Sequence, residues 1–134
     1  AVAGCFGVPV LFLSGDNNAC ADAKSFLPWV QTVEVKEAIG RYAAASLSPA
    51  DACAAIKVGI ERSLRAASSS GAKPYALSPP IALELCFTRT SKADMASLLP
   101  GSERIDGRTL RFVHDDFLTV FKAFRAMTAL GGCD

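Results

Sequence analysis

Val8 to Leu13 is an uninterrupted apolar run that meets a breaker, Ser14-Gly15-Asp16-Asn17, and then a stretch that reads as helix to about Leu27, where Pro28 closes it. A run this short cannot span a membrane, and it suits a strand covered on both faces, as in a parallel sheet. Asp16 is placed to cap the helix that follows. Thr32 to Val35 alternates and is β-branched, which predicts a short second strand. Glu37 to Leu47 is Ala-rich and predicts a helix with Gly40 as its weak point. Ser48-Pro49 opens a longer helix to about Ala67: Ser48 is the cap, Pro49 takes the first helical position and Asp51 favours the positive end of the dipole. At the start of the chain, Ala1 to Phe6 reads as the last turns of a helix ended by Gly7 and Pro9. So short a helix does not nucleate by itself, which leads to the expectation that the chain is a segment of something larger.

Ser68-Ser69-Ser70-Gly71 is a low-complexity stretch, and with Pro74, Pro79 and Pro80 it makes a linker-like passage over residues 68–80. The pattern then changes. Ile81 to Thr88 places Ile81, Leu83, Leu85 and Phe87 on one face, as a half-buried antiparallel strand does. Ser91-Lys92-Ala93-Asp94 resembles a capping box for a short helix that Pro100 ends. Arg104-Ile105, Asp106-Gly107 and Thr109 to Val113 read as a hairpin around a tight turn. Asp116 then caps a helix with Phe117, Val120, Phe121, Phe124 and Met127 on one face, and Gly131-Gly132 is expected to stop it. The fold class is therefore α/β. Residues 1–67 are expected to belong to the core of a mostly parallel sheet flanked by helices, and residues 81–134 to an α+β sub-region with an antiparallel strand and a hairpin.

Composition bounds the function classes. With 51% hydrophobic and 20% charged residues over 134 positions, the chain can bury a sizeable core and is not disordered. Its 14 Lys and Arg against 13 Asp and Glu give a net charge of +1, so no global field draws in nucleic acid or an anionic membrane. The basic residues after Thr88 are interleaved with acidic ones, which also argues against a nucleic-acid patch. Five scattered cysteines with no C-x-x-C pair predict a reduced, cytoplasmic protein. With His114 as the one histidine, no self-contained zinc site of the usual kind is expected.

Each candidate site residue has a structural reading beside its functional one. Asp16 follows a parallel strand, where open α/β sheets place ligands, and its carboxylate suits an amine or hydroxyl; its structural reading is simply that of a helix cap, and the two are compatible. Lys36 and Arg41 flank a second strand-to-helix junction, where a cation pair could hold a carboxylate; Glu37 and Arg41 could also form a surface pair one helical turn apart. His114, beside Asp115 and Asp116, has the makings of an oriented base, against the alternative of a solvated histidine near capping carboxylates. Metallopeptidase, nucleophile-elbow and phosphate-loop motifs are absent from the sequence.

The order of motifs resembles one family. Val8-Pro9-Val10-Leu11 leads into Ser14-Gly15-Asp16, then come Leu27-Pro28, Thr32 through Arg41 with its V-K-x-x-x-G-R element, Ala43-Ala44 and Leu47-Ser48-Pro49. Ile81 to Phe87, Ala93-Asp94, Leu99-Pro100-Gly101, Asp106-Gly107-Arg108-Thr109, and Asp116-Phe117 with Ala123 to Met127 continue the match. Together these resemble the second half of the DppA-type D-aminopeptidases. The resemblance implies a dinuclear zinc peptidase that releases N-terminal D-amino acids from short peptides in the cytoplasm, assembled as a ring-based homo-oligomer. It implies also that zinc is bound by an N-terminal half of the same enzyme, with no metal ligand and no catalytic residue in this segment. Asp16, Lys36 and Arg41 are then candidates for substrate binding or for facing the cleft or the other half. Two readings stand beside it: a metal-free binding or assembly module on the same scaffold, and a metal-independent enzyme using Asp16 or His114.

Overall fold

The computed structural model describes residues 1–40 and 42–132. The chain divides into two compact units, Gly7–Tyr75 and a second formed by Ala1–Phe6 with Ala76–Asp134.

In the first unit, β1 (Phe12–Asp16) runs parallel to β2 (Gln31–Gly40), and β3 (Ala43–Ser46) pairs antiparallel with β2, giving the order β1-β2-β3. The helices α2 (Asn17–Phe26) and α3 (Pro49–Ala66) pack on β1 and β2. The strand expected over Val8 to Leu13 begins later and continues through Ser14-Gly15-Asp16. Its ladder starts where Gln31 N–H donates to the Leu11 carbonyl (3.0 Å), while the Val10 carbonyl is taken by the Trp29 indole N–H (3.1 Å). Gly15 remains in the strand because α2 passes so close that a Cβ there would sit 3.2 Å from Ala19 Cβ.

Glu37 to Leu47 corrects the sequence expectation: no helix forms there. β2 carries on to Gly40 and turns back as β3, with Glu37 opposite Ala45 and Ala38 opposite Ala44. Alanine's helix preference is only fractions of a kilocalorie per residue, and pairing with a strand already laid down beside β1 outweighs it. The expected cap of α3 is present, since Ser48 Oγ accepts from Asp51 N–H at 3.2 Å. Gly59 and Ser63, one turn apart, form the buried face of α3. Gly59 lets that helix lie against the sheet: a Cβ would come within 2.5 Å of Val33 Cγ2 and 2.6 Å of the Phe12 ring.

The second unit begins with the single turn α1 (Val2–Cys5), which packs against α5 and is followed by Gly7 in the left-handed region at φ 70°. Its sheet is antiparallel, β4 (Ile81–Cys86), β6 (Thr109–His114) and β5 (Glu103–Arg104), in the order β4-β6-β5. Ala96, Leu110 and Met127 are fully buried, and Leu83, Leu85, Phe87, Leu99 and Phe112 pack around them. Two details differ from the sequence expectation. α4 (Thr90–Ala96) starts before Ser91, with Arg89 at the cap position and no side-chain cap; Asp94 instead pairs with Arg104. α5 (Phe117–Gly132) does not stop at Gly131, because Gly131 is its contact point, where a Cβ would lie 2.5 Å from the Phe87 ring.

Candidate functional site

The chemistry-bearing residues of the first unit collect where β1 ends and β2 continues. Asp16 is the last residue of β1 and the N-cap of α2, its Oδ1 accepting from Ala19 N–H at 2.8 Å. A bulge shifts the parallel register there: Gly15 faces Glu34, but Asp16 faces Lys36. Asn17 then extends the ladder with a side chain, because Ala38 N–H donates to Asn17 Oδ1 at 2.9 Å. β2 is thus held on the β1 side past the end of β1 itself, while β3 holds its other side.

An open cleft of about 540 Å³ occupies this position, lined by Asn17, Glu34, Lys36, Glu37 and Ser46 among polar residues and by Val35, Ala45 and Leu47. Three of its side chains are acidic or basic, Glu34, Lys36 and Glu37, and all three are exposed. A cation set between two carboxylates suits a small ligand with both a carboxylate and an ammonium group.

Each residue singled out in the sequence now has a position. Lys36 lines the cleft, but from inside a strand rather than from a strand-to-helix junction, opposite Ser46 on one side and Asp16 on the other. Asp16 is half-buried, its carboxylate serves as the helix cap, and it does not line the cleft. Arg41 lies outside the described residues. Its expected pairing with Glu37 along a helix has lost its basis, since Glu37 belongs to β2. Asn17, Glu34 and Ser46 were not singled out. Asn17 follows Asp16 directly, yet nothing in the sequence signals that its amide reaches Ala38, and Ser46 enters only once the hairpin register is known.

His114 belongs to the second unit and is used structurally. Its Nδ1 accepts from Asp116 N–H at 2.9 Å. The Asp116 carboxylate turns the other way, accepting from Thr119 N–H (2.8 Å) and Thr119 Oγ1 (2.7 Å), and these bonds hold its pKa below the usual 3.8. The Asp116 carboxylate is therefore committed to the start of α5 and not to the imidazole.

Among the described residues no three His, Cys, Asp or Glu side chains come together as a metal site requires. These residues do not fit a resident zinc, and no chemical step through a metal is assigned to them. Among the described residues, too, no helix is long and apolar enough to cross a membrane. Cys5, Cys20, Cys53 and Cys86 are free thiols.

Three comparisons bear on this fold and site. A D-aminopeptidase from Bacillus subtilis (strain 168) is 36% identical over 132 residues, which is 96% of this chain and 47% of the relative. A solved structure, described as a Zn-dependent D-aminopeptidase DppA from Bacillus subtilis, a self-compartmentalizing protease, superposes with a TM-score of 0.90 at 32% identity over 99% of this chain and 48% of that one. The chain thus spans about half the length of the relatives it matches. The peptidase family model described as D-aminopeptidase matches residues 1–126, and with identity and fold agreeing over the same span, the chain belongs to the D-aminopeptidase family of peptidases.

Proposed function

We propose that this chain is the C-terminal portion of a metal-dependent D-aminopeptidase that removes N-terminal D-amino acids from short peptides. The observation that carries the reading is the match of nearly the whole chain, at a TM-score of 0.90, to a protein described as a Zn-dependent D-aminopeptidase. In this reading zinc is held by the N-terminal half of the enzyme, within the part of the relatives' length that this chain does not span. When bound, zinc supplies an activated water and polarises the scissile carbonyl. The protein works in the cytoplasm as a ring-based homo-oligomer, a reading supported by the self-compartmentalizing character of the relative.

The residues of this chain bind and orient rather than cleave. Lys36 is assigned to the carboxylate end of the peptide, with Glu34 and Glu37 keeping a second carboxylate away from the same cleft. Asp16 fixes the start of α2 and so the position of Asn17 beside that cleft. Arg41 stays a candidate partner of Lys36.

The test is hydrolysis of a D-alanyl dipeptide and its L-alanyl diastereomer by the full-length protein, before and after chelation and with zinc restored. Release of the D-residue alone, lost on chelation and regained with zinc, is the expected outcome. Residues 1–134 by themselves are expected to release nothing and to retain no stoichiometric zinc. Zinc-dependent activity from that segment alone would show that the site has been assigned to the wrong part of the protein, and binding without hydrolysis by the full-length protein would favour a metal-free binding module.

A further inference from the structure

β2 outruns the strand that supports it. β1 ends at Asp16, opposite Lys36, and β2 goes on to Gly40. Leu47 N–H donates to the Val35 carbonyl at 3.0 Å, so by alternation Glu37 turns its N–H and C=O toward β3, and Ala38 turns its own the other way, where β1 has already ended. All four residues of β3 are exposed, and a two-stranded ribbon standing in water is marginal by itself. What meets Ala38 N–H in place of a strand is a side chain: Asn17 Oδ1 accepts from it at 2.9 Å.

The orientation of that amide is settled by its partner. A backbone N–H only donates, so the atom that faces it is the oxygen. Asn17 is itself held in place, because it is the first residue of α2 and follows Asp16, whose Oδ1 accepts from Ala19 N–H at 2.8 Å and fixes where the helix begins. α2 packs on β1 and β2, so the bond to Ala38 ties the uncovered end of β2 to the covered part of the sheet. Lys36 lies between these two attachments, opposite Asp16 and two residues before Ala38, and it lines the same cleft as Asn17.

We infer that Asn17 is a positioning residue for Lys36: its amide oxygen stands in for the ladder acceptor that β1 no longer offers, keeps β2 on its course past the cleft and so holds the Lys36 ammonium where a peptide carboxylate is met. The assignment rests on the peptidase reading proposed above, in which Lys36 takes that carboxylate. Lysine is a point charge on a flexible four-carbon stem, so the course of its backbone is what directs it. Without the oxygen, Ala38 N–H turns to water and the end of β2 is free to swing. Carboxylate binding then weakens, while the bond-breaking step, assigned to the other half of the enzyme, keeps its rate.

The experiment is a double-mutant cycle on the full-length, zinc-loaded protein with a D-alanyl dipeptide as substrate and circular dichroism as the check on folding. Asn17→Leu removes the acceptor at similar volume, Asn17→Asp keeps it, and Lys36→Met removes the charge. Asn17→Leu is expected to raise KM about ten-fold at a kcat close to that of the parent, the weaker end of what a hydrogen bond to a charged group contributes. Asn17→Asp is expected to recover most of that loss, and Asn17→Leu to have no further effect once Lys36→Met is present. Should Asn17→Leu misfold, Asn17→Ala takes its place in the cycle. A KM equal to the parent's in the variant without the acceptor, an equal rise in Asn17→Leu and Asn17→Asp, or additive effects of Asn17→Leu and Lys36→Met each overturn the inference. Hydrolysis by the parent tests the peptidase reading separately: an active parent whose Asn17→Leu variant keeps its KM sinks only the positioning role. If the parent binds the dipeptide without hydrolysing it, the peptidase reading falls and dissociation constants replace KM in the same cycle; a parent that binds none overturns both.

Discussion

Gly59 shows how a single missing side chain sets the distance between a helix and a sheet. Its hypothetical Cβ would strike Val33 on β2 and Phe12 on β1 together, so a larger residue must push α3 away from both strands. Replacement by alanine gains about 1 kcal/mol of helix preference, which offsets part of the clash. Gly59→Val gains less helix preference and adds two further carbons, and it is expected to destabilise the protein by about 2–3 kcal/mol. A urea midpoint equal to that of the parent would show that α3 slides without cost. Residue-level features of this kind were partly legible. Asp16, Ser48 and Asp116 read as helix caps from sequence and do cap, because a cap is a local bond between residues three apart. The Gly59 and Gly131 contacts were not legible, since each depends on a neighbour from another element, and sequence alone makes Gly131 look like a helix stop.

At the scale of elements, the hairpin of the second unit and the start of α5 depend on ionised carboxylates. Asp106 Oδ1 accepts from Arg108 N–H (2.7 Å) and Thr109 N–H (2.8 Å), closing the turn between β5 and β6. The bond from Arg108 N–H is the main cause that draws its pKa below 3.8, as the bonds from Thr109 and Thr119 do in their turn for Asp106 and Asp116. A carboxylate with a lower pKa folded than unfolded stabilises the fold above the unfolded value of about 3.9 and loses that contribution as pH falls through the folded value. Stability is therefore expected to decline below about pH 4, and the double variant Asp106→Asn, Asp116→Asn to be less stable at neutral pH and flatter in acid. Urea midpoints between pH 2 and 6 check this; parallel curves for the two proteins would remove these carboxylates from the acid response. The hairpin itself was legible from its Asp-Gly turn. The β2–β3 hairpin was not, because Glu37 to Leu47 is rich in alanine and only the neighbouring strand decides its conformation. The helix expected there placed Lys36 at a strand end, whereas it lies inside β2, and it hid Ser46 from the candidate site.

For the molecule as a whole, the sheet of the first unit has two unlike edges, β1 on one side and β3 on the other. Phe12 and Leu13 give β1 apolar surface beside an unpaired ladder, and each Å² of such surface left in water costs about 25 cal/mol. Residues 1–134 expressed alone are expected to aggregate or to melt without a cooperative transition, and the full-length protein to unfold sharply. A monodisperse monomer with a sharp thermal transition would make the segment an autonomous domain and favour the binding-module reading.

The two edges also differ in what kind of growth they permit. An edge that pairs with its own image is used up after one encounter, since the axis that joins two copies leaves no third place. An edge that pairs with a different edge of the next copy is not self-limiting, because each added copy presents the same free edge again. A chain with both edges open is thus a monomer for a fibre, and a chain with only one edge open stops at a pair. Closing the flank of β1 from within the same polypeptide is what would separate a compartment of finite size from an endless ribbon.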